Sequence, residues 1–172
     1  MSTAPNGPAG NDLNVVLVEP EIHGNTGSSG RTCLAAGAQL HLVQPLGFDI
    51  SDARVKRAGL DYWPRVQPLV WPDWDSLEAR LGELGTAYFF SSDATVDFWD
   101  ADFVDPVALV FGKESVGLSQ QIRDKHADRL LRLPMHDPKL RSINLANSVA
   151  VVLYEVLRQR REARQNRIDV QT

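Results

Sequence analysis

The chain has 172 residues, with 18 basic and 22 acidic side chains, so its formal net charge is −4. This length fits one ordinary domain with a substantial core, and 43% hydrophobic and 23% charged residues exclude a disordered or fibrous protein. The single cysteine, Cys33, excludes an internal disulfide and a zinc ribbon. No apolar run approaches the roughly 18–20 residues that cross a bilayer, and residues 1–11 lack the features of a secretory signal. We therefore expect a soluble cytoplasmic protein without a membrane partner.

The charge is unevenly distributed along the chain. Residues 1–120 hold seven basic and 16 acidic side chains, whereas residues 121–172 hold 11 and six. A basic end on an acidic protein is typical of a contact with RNA phosphates. A solvated helix end, whose arginines suit the C-terminal dipole, explains the same pattern, so both interpretations stay open.

Strand-like and helix-like segments alternate along the chain. Apolar runs predict strands at 13–18, 40–43, 66–70, 87–90, 107–111 and 129–133. Helical spacing and capping residues predict helices at 26–36, 51–58, 73–84 and 120–126, and a last helix that begins near Asn144. This alternation predicts an α/β fold with a mostly parallel sheet and helices on both faces. We expect one domain over 12–164 and flexible tails at 1–11 and 165–172.

Three unusual segments follow predicted strands. They are the polar, glycine-rich residues 19–31, the loop 112–118 and the long polar segment 134–147. Because ligands of parallel sheets bind beyond the carboxyl ends of the strands, these three segments are the candidate functional loops.

Several familiar chemistries fit these loops poorly. The glycines of 24–30 are spaced GxxGxxG instead of GxGxxG, and no Lys-Ser or Lys-Thr of a P-loop follows. Lys113 stands where a GxSxG hydrolase motif around Ser115 needs a glycine. No two histidines have metal-binding spacing, so we expect no metal. Cys33 lies among apolar residues and is predicted to be a core thiol.

Taken together, the three loops resemble those of the SPOUT (trefoil-knotted) RNA methyltransferases. The nearest resemblance is to the small tRNA wobble-position 2′-O-methyltransferases of the TrmL (YibK) type. The matching blocks are 14–22 with Asn25-Thr26-Gly27 and Arg31-Thr32-Cys33, then 45–48, 57–62, 111–114 with 117–118, 133–135, and 141–148 with 154–155. Each block alone is weak evidence, but the order and spacing of all the blocks make the match strong. The resemblance covers about residues 13–160.

The resemblance implies a parallel sheet with a C-terminal trefoil knot, a homodimer with sites at its interface, and S-adenosylmethionine (AdoMet) as the cofactor. Carried over by motif, the cofactor contacts would be Phe90, Gly112, Glu114, Gly117, Leu133, Met135, Ser142, Asn144 and Leu145. The two glycines would let backbone approach the ligand, and the apolar residues would wall an adenine slot. Asn144 would in addition, or only, cap the last helix.

The implied reaction is methylation of the ribose 2′-hydroxyl of the wobble cytidine or modified uridine of tRNA. Leucine tRNA is the expected substrate, and no DNA partner is expected. The implied catalytic residues are Arg31, Asn25 and Glu114. A guanidinium is too weak an acid to serve easily as a base, so Arg31 is expected to stabilise the developing alkoxide and to grip a phosphate. An interface salt bridge, for instance to Glu19 or Glu114, is the structural alternative for this arginine.

Several roles and functions remain open at this stage. Asn25 would either cap a helix or contact the substrate. Glu114 would either contact a ligand or instead anchor the backbone or Arg31. Tyr154 and Arg158 are candidate RNA contacts, and packing at the dimer interface is the alternative for Tyr154. His23-Gly24 and Lys113 replace prolines that are common in the family, so we expect a less rigid first loop and an added positive charge near the mouth of the cofactor site. The alternative functions are ribose methylation at another tRNA position or in ribosomal RNA, and a non-catalytic module that binds RNA or AdoMet.

Overall fold

The structure, a computed structural model, describes residues 12–49 and 61–169, with the backbone alone at 167–169. The helix predicted at 51–58 therefore lies outside the described residues. The strands are β1 (Leu13–Val18), β2 (Gln39–Val43), β3 (Leu69–Trp71), β4 (Thr86–Phe90), β5 (Val96–Asp97), β6 (Val107–Phe111) and β7 (Leu130–Arg132). The helices are α1 (His23–Ala36), α2 (Trp63–Val66), α3 (Trp74–Glu78), α4 (Gln120–Lys125) and α5 (Leu145–Asp169).

The described strands form one seven-stranded parallel sheet in the order β3-β2-β1-β6-β4-β7-β5. The predicted α/β class and parallel sheet are thus confirmed. Strands β1, β6, β4 and β7 are neighbours, so the segments that follow them leave the same edge of the sheet. This arrangement brings the three predicted loops together.

Both faces of the sheet are covered by helices. All six residues of β1 are buried, because alternate side chains enter two separate cores. Val15 and Leu17 pack in the core that α1 and α5 cover, whereas Val16 and Val18 pack in the core that contains Leu77 of α3 and Ile122 of α4. Cys33 is buried in the first core, as predicted, and burial raises the pKa of its thiol to about 12.

Two predicted elements are wrong in their bounds. The strand predicted at 66–70 is β3, which begins only at Leu69, because Val66 ends the short helix α2 and Gln67 is left-handed. The helix predicted at 73–84 is only α3 and a 3₁₀ turn, Leu81–Glu83. Strand β5 was not predicted, since two residues carry no periodic signal.

The helix ends follow local chemistry. Gly37, with φ of 70°, ends α1 as predicted. Helix α5 begins directly after Asn144 and continues to Asp169, so residues 165–169, which we expected to be flexible, are helical. His23 and Gly24 are the first two residues of α1, so they stand in a helical turn where the sequence suggested a loosened loop.

A buried polar chain ties β1, β2 and β3 together. The indole Nε1 of Trp71 donates to Nδ1 of His41 at 3.1 Å, and Nε2 of His41 lies 3.1 Å from Oδ1 of Asn14. The amide Nδ2 of Asn14 donates to the carbonyl of Leu84 at 3.0 Å. Burial lowers the pKa of His41 to about 4, so this ring is neutral and carries its proton on Nε2.

Candidate active site

A cleft of about 880 Å³ opens at the carboxyl ends of β4, β6 and β7. The structure places all nine predicted cofactor-binding residues in its lining: Phe90, Gly112, Glu114, Gly117, Leu133, Met135, Ser142, Asn144 and Leu145. They come from the end of β4, from the loop after β6 and from residues 133–145 after β7, which are far apart in sequence. One concave site thus unites them, and Asn25 also lines it.

One wall of the cleft is apolar. Phe90 is 6% exposed and stacks on Phe111 with ring centroids 4.6 Å apart. Leu145 is buried at the start of α5, while Leu133 and Met135 are half-buried after β7. Such a wall suits a flat aromatic group.

The charges around the cleft are mostly paired. Arg123 lies 3.2 Å from a carboxylate oxygen of Asp93, and Arg132 donates to Asp97 at 2.6 Å. Arg141 donates to the carbonyl of Ser115 at 3.3 Å, and no carboxylate of the described residues pairs with it. Arg141 therefore leaves a positive charge available at the cleft, a feature that the sequence did not single out.

The loop after β6 is a tight turn that needs its two glycines for different reasons. Gly117 has φ of 72° and donates its N–H to the carbonyl of Lys113 at 2.8 Å. A Cβ on Gly112 would lie 2.1 Å from the backbone of Gly117 and Leu118. The chain itself fills that position, so this turn by itself requires a glycine at 112.

Two glutamates fasten this loop to the loop after β1. Both carboxylate oxygens of Glu114 accept from backbone N–H groups, of Glu21 at 2.8 Å and of Ile22 at 3.3 Å. Glu21 in return accepts from the N–H and the hydroxyl of Ser115 at 2.9 and 2.8 Å. We call this reciprocal pair, Glu21–Ser115 with Glu114–Glu21, the carboxylate latch. These contacts favour the anchoring role of Glu114.

Lys113 adds an ion pair beside the carboxylate latch. Its Nζ lies 2.7 Å from Oε2 of Glu19, and this hydrogen bond raises the pKa of Lys113. The lysine that replaces a common proline of the family, and that we expected to add a positive charge near the cofactor mouth, is therefore paired with an acid of the first loop.

Asn25 joins the three segments. Its Nδ2 donates to Glu114 at 2.8 Å, and its Oδ1 accepts from Nδ2 of Asn144 at 3.0 Å. Asn144 also caps α5, since its Oδ1 accepts from the N–H groups of Ala146 and Asn147 at 3.0 and 3.3 Å. The interpretation of Asn25 as a helix cap is wrong: α1 begins two residues earlier, and no side chain caps it. Asn144 is both a cap and a link between segments.

Arg31 lies on α1, exposed and outside the lining of the cleft of its own chain. Its Cζ is 4.3 Å from the centroid of the Tyr62 ring. Neither of the predicted ion-pair partners pairs with it within this chain, since Glu19 binds Lys113 and Glu114 binds the first loop.

The two candidate RNA contacts on α5 also lie away from the cleft lining. Tyr154 is 55% exposed. Arg158 pairs with Glu155 at 2.7 Å and with Glu162 at 2.5 Å, so two carboxylates neutralise it. Arg160 pairs with Asp105. These pairs favour the solvated-helix interpretation for Arg158 and Arg160.

The described residues contain no cluster of three or more histidine, cysteine, aspartate or glutamate side chains that would hold a metal ion. In the same part of the chain, every helix is too short or too polar to cross a membrane.

Proteins of known family have sequences and structures similar to this chain. The SpoU rRNA Methylase family matches residues 12–154. A tRNA (cytidine(34)-2′-O)-methyltransferase of Burkholderia pseudomallei is 45% identical over 149 residues, which are 86% of this chain and 95% of that protein.

Solved structures agree with this match. A structure described as "Structural insights into the 2-OH methylation of C/U34 on tRNA" has a TM-score of 0.78 and 38% identity, over 90% of this chain and 92% of that one. AviRb of Streptomyces viridochromogenes, a SpoU methyltransferase in complex with AdoMet, has a TM-score of 0.73 and 30% identity, over 89% of this chain and 60% of that one. The chain belongs to the SpoU methylase family.

Proposed function

We propose that this protein transfers a methyl group from AdoMet to the ribose 2′-hydroxyl of the wobble nucleotide, cytidine or uridine 34, of tRNA. The observation that carries the proposal is the convergence of three distant segments in one cleft, in a chain 45% identical to an enzyme named for this reaction. Such an enzyme acts where tRNA is modified, so we expect it in the cytoplasm.

The residues of the cleft fit AdoMet. Phe90, Leu133, Met135 and Leu145 offer an apolar wall for the adenine ring, and Ser142 offers a hydroxyl. A volume of about 880 Å³ leaves room for a nucleoside beside the cofactor. Bound AdoMet would supply an electrophilic methyl group, so the protein has chiefly to position the ribose and to stabilise charge.

Arg31 is the proposed catalytic residue. Its guanidinium stays protonated, so it would lower the energy of the developing alkoxide and hold an adjacent phosphate without accepting the proton itself. Asn25 and Glu114 are proposed as positioning residues, because their polar atoms are engaged with each other and with the first loop. Arg141 is a further candidate for a phosphate contact, since no described carboxylate neutralises it.

The proposed functional unit is a homodimer. Helices α1 and α5 pack together, and α5 exposes the apolar side chains of Val151 (46%) and Tyr154 (55%). Arg31 lies outside the cleft of its own chain, which fits its delivery to the cleft of a second copy. Mixing Arg31→Ala with Ser142→Trp subunits tests this arrangement: restored activity supports it, and two dead variants that stay dead after subunit exchange contradict it.

The family description favours ribosomal RNA as a second candidate substrate. Nucleoside mass spectrometry separates the two, after incubation of the protein with AdoMet and either unmodified tRNA or ribosomal RNA. We expect a 2′-O-methylated cytidine or uridine at tRNA position 34 and no methylation of ribosomal RNA. A methyl group only in ribosomal RNA, or at another tRNA position, would overturn the proposed substrate.

A further inference from the structure

Arg31 is contacted by an aromatic ring. Its Cζ lies 4.3 Å from the centroid of the Tyr62 ring, within the range of a cation–π contact. Among the described residues, no carboxylate forms an ion pair with Arg31, and its two predicted partners, Glu19 and Glu114, are engaged elsewhere.

Tyr62 is itself fixed to the helix that carries Arg31. Its hydroxyl donates to the carbonyl of Gly27 at 3.0 Å, one turn before Arg31 on α1. The following helix, α2, packs against the same side of α1: a Cβ on Gly30 would lie 2.9 Å from the Trp63 ring and 3.1 Å from Val66. Ring and hydroxyl of Tyr62 therefore have a defined place relative to Arg31.

The kind of contact matters for the chemistry. A carboxylate would use N–H donors of the guanidinium and cancel its charge. A ring that contacts Cζ holds the group while leaving its positive charge unneutralised. A group that stabilises a developing alkoxide needs that charge, together with a fixed position.

We propose that Tyr62 is the positioning residue for Arg31 in methyl transfer: its ring orients the guanidinium and keeps it charged for the RNA. This role rests on the proposed function, because it acts through the group assigned to the ribose. Tyr62 does not line the cleft and is not assigned a contact with the reacting atoms.

The kinetic test compares two substitutions that separate the ring from the hydroxyl. Tyr62→Phe keeps the ring, whereas Tyr62→Leu removes it; Tyr62→Met is the second ring-free variant if the leucine variant does not fold. With saturating AdoMet and tRNA, we expect the phenylalanine variant to keep its single-turnover rate within about threefold, and the ring-free variant to lose about tenfold or more. The Kd for AdoMet should stay within about twofold in both variants.

Trp74→Leu is the matched control. Trp74 is half-buried on the opposite face of the sheet, where its ring contacts Phe89 and His126 edge-on. Its loss removes aromatic packing without reaching Arg31, so the transfer rate should stay within about twofold. A rate as low as that of the ring-free Tyr62 variant would show that lost stability, and not lost positioning, slows the reaction.

A second readout does not depend on activity. The Nε–H resonance of Arg31, assigned by its absence in Arg31→Lys, should be shifted upfield by the ring in the wild type and in Tyr62→Phe, and should move to an ordinary position in the ring-free variant. An unshifted wild-type resonance, a fast ring-free variant or a slow phenylalanine variant would overturn the role of Tyr62. Absence of methyl transfer by the wild type, with the resonance shifted as expected, would overturn the proposed function and this role with it.

Discussion

Arg31 is the single residue on which the proposed chemistry depends most. Replacing it with alanine removes the charge assigned to the developing alkoxide but leaves the cleft lining intact. We expect Arg31→Ala to lower single-turnover methyl transfer by about 100-fold or more, in line with the loss of one oxyanion-stabilising donor. The Kd for AdoMet, measured by calorimetry, should change by less than about twofold.

Arg129→Ala is the control for this substitution, since Arg129 is an exposed arginine whose Nε lies 3.7 Å from its neighbour Asp128. Its transfer rate should match that of the wild type. Loss of AdoMet affinity in Arg31→Ala would show that the arginine belongs to the cofactor site and not to catalysis.

His41 makes stability depend on pH. Burial lowers the pKa of the folded ring to about 4, below the value near 6.5 of an unfolded histidine. The unfolded chain therefore binds more protons in this range, so the stabilisation is complete above pH 6.5 and is lost as the pH falls towards 4. The difference corresponds to about 3 kcal/mol in the free energy of unfolding.

Urea unfolding at pH 7, 6 and 5 measures this dependence. The slope of the free energy of unfolding against pH, between pH 7 and 5, should be smaller in His41→Gln than in the wild type. It should be unchanged in His136→Gln, because His136 is exposed. Equal slopes in wild type and His41→Gln would contradict the assignment.

Between elements, the carboxylate latch determines how the first loop meets the loop after β6. Glu114→Ala leaves the N–H groups of Glu21 and Ile22 and the amide of Asn25 without this acceptor. We expect the free energy of unfolding to fall by about 1–3 kcal/mol, as for other partly buried donors that lose their partner. Chemical denaturation measures this change.

Glu83→Ala provides the comparison, because Glu83 is an exposed glutamate whose carboxylate pairs with Arg80, three residues before it. Its effect should stay within about 0.5 kcal/mol. If Glu114→Ala costs no more than Glu83→Ala, the carboxylate latch does not hold the loops together.

Sequence patterns predicted the elements unevenly. Strands β1 and β6 were predictable because both are runs of almost entirely apolar residues buried on both faces, whereas β3 and the edge strand β5 are too short for periodicity to be visible. The helix predicted at 73–84 ends after α3 and is followed by a 3₁₀ turn. The spacing of its apolar residues does not predict this interruption. The trefoil knot implied by the resemblance stays a prediction.

For the molecule as a whole, positive charge at the C-terminal end is more restricted than the composition suggests. Arg158 and Arg160 are paired with acids, whereas Arg161 and Arg164 form no ion pair with a described residue. Each arginine that binds an RNA phosphate contributes about 0.7–0.9 to the slope of log K against log salt. We expect the double variant Arg161→Ala, Arg164→Ala to lower this slope by about 1–2, and Arg158→Ala to leave it unchanged.

Filter binding of tRNA between low and moderate salt gives these slopes. A lower slope in Arg158→Ala, together with an unchanged slope in the double variant, would contradict this prediction. It would mean that RNA binding breaks the ion pairs of Arg158 with Glu155 and Glu162.

The residues that line the candidate cleft were largely predictable, but the contacts between them were not. Motif order placed the nine cofactor candidates, since parallel neighbours release their loops at one edge. The bridge from Asn144 to Asn25 spans 119 positions, and the contact of Arg31 with Tyr62 joins two elements. Such pairings depend on tertiary packing, which no local pattern encodes, although Tyr62 does lie in one of the blocks that carry the resemblance.

AdoMet binding measured by titration calorimetry tests the central claim, that the three segments form one cofactor cleft. Ser142 is exposed and lines the cleft, so Ser142→Trp should fill it without disturbing the core, and Val104→Trp provides a control at a residue outside the lining. We predict one AdoMet bound per chain in the wild type and in Val104→Trp, and at least tenfold weaker binding in Ser142→Trp. Absence of binding to the folded wild type, or full affinity in Ser142→Trp, would contradict the account.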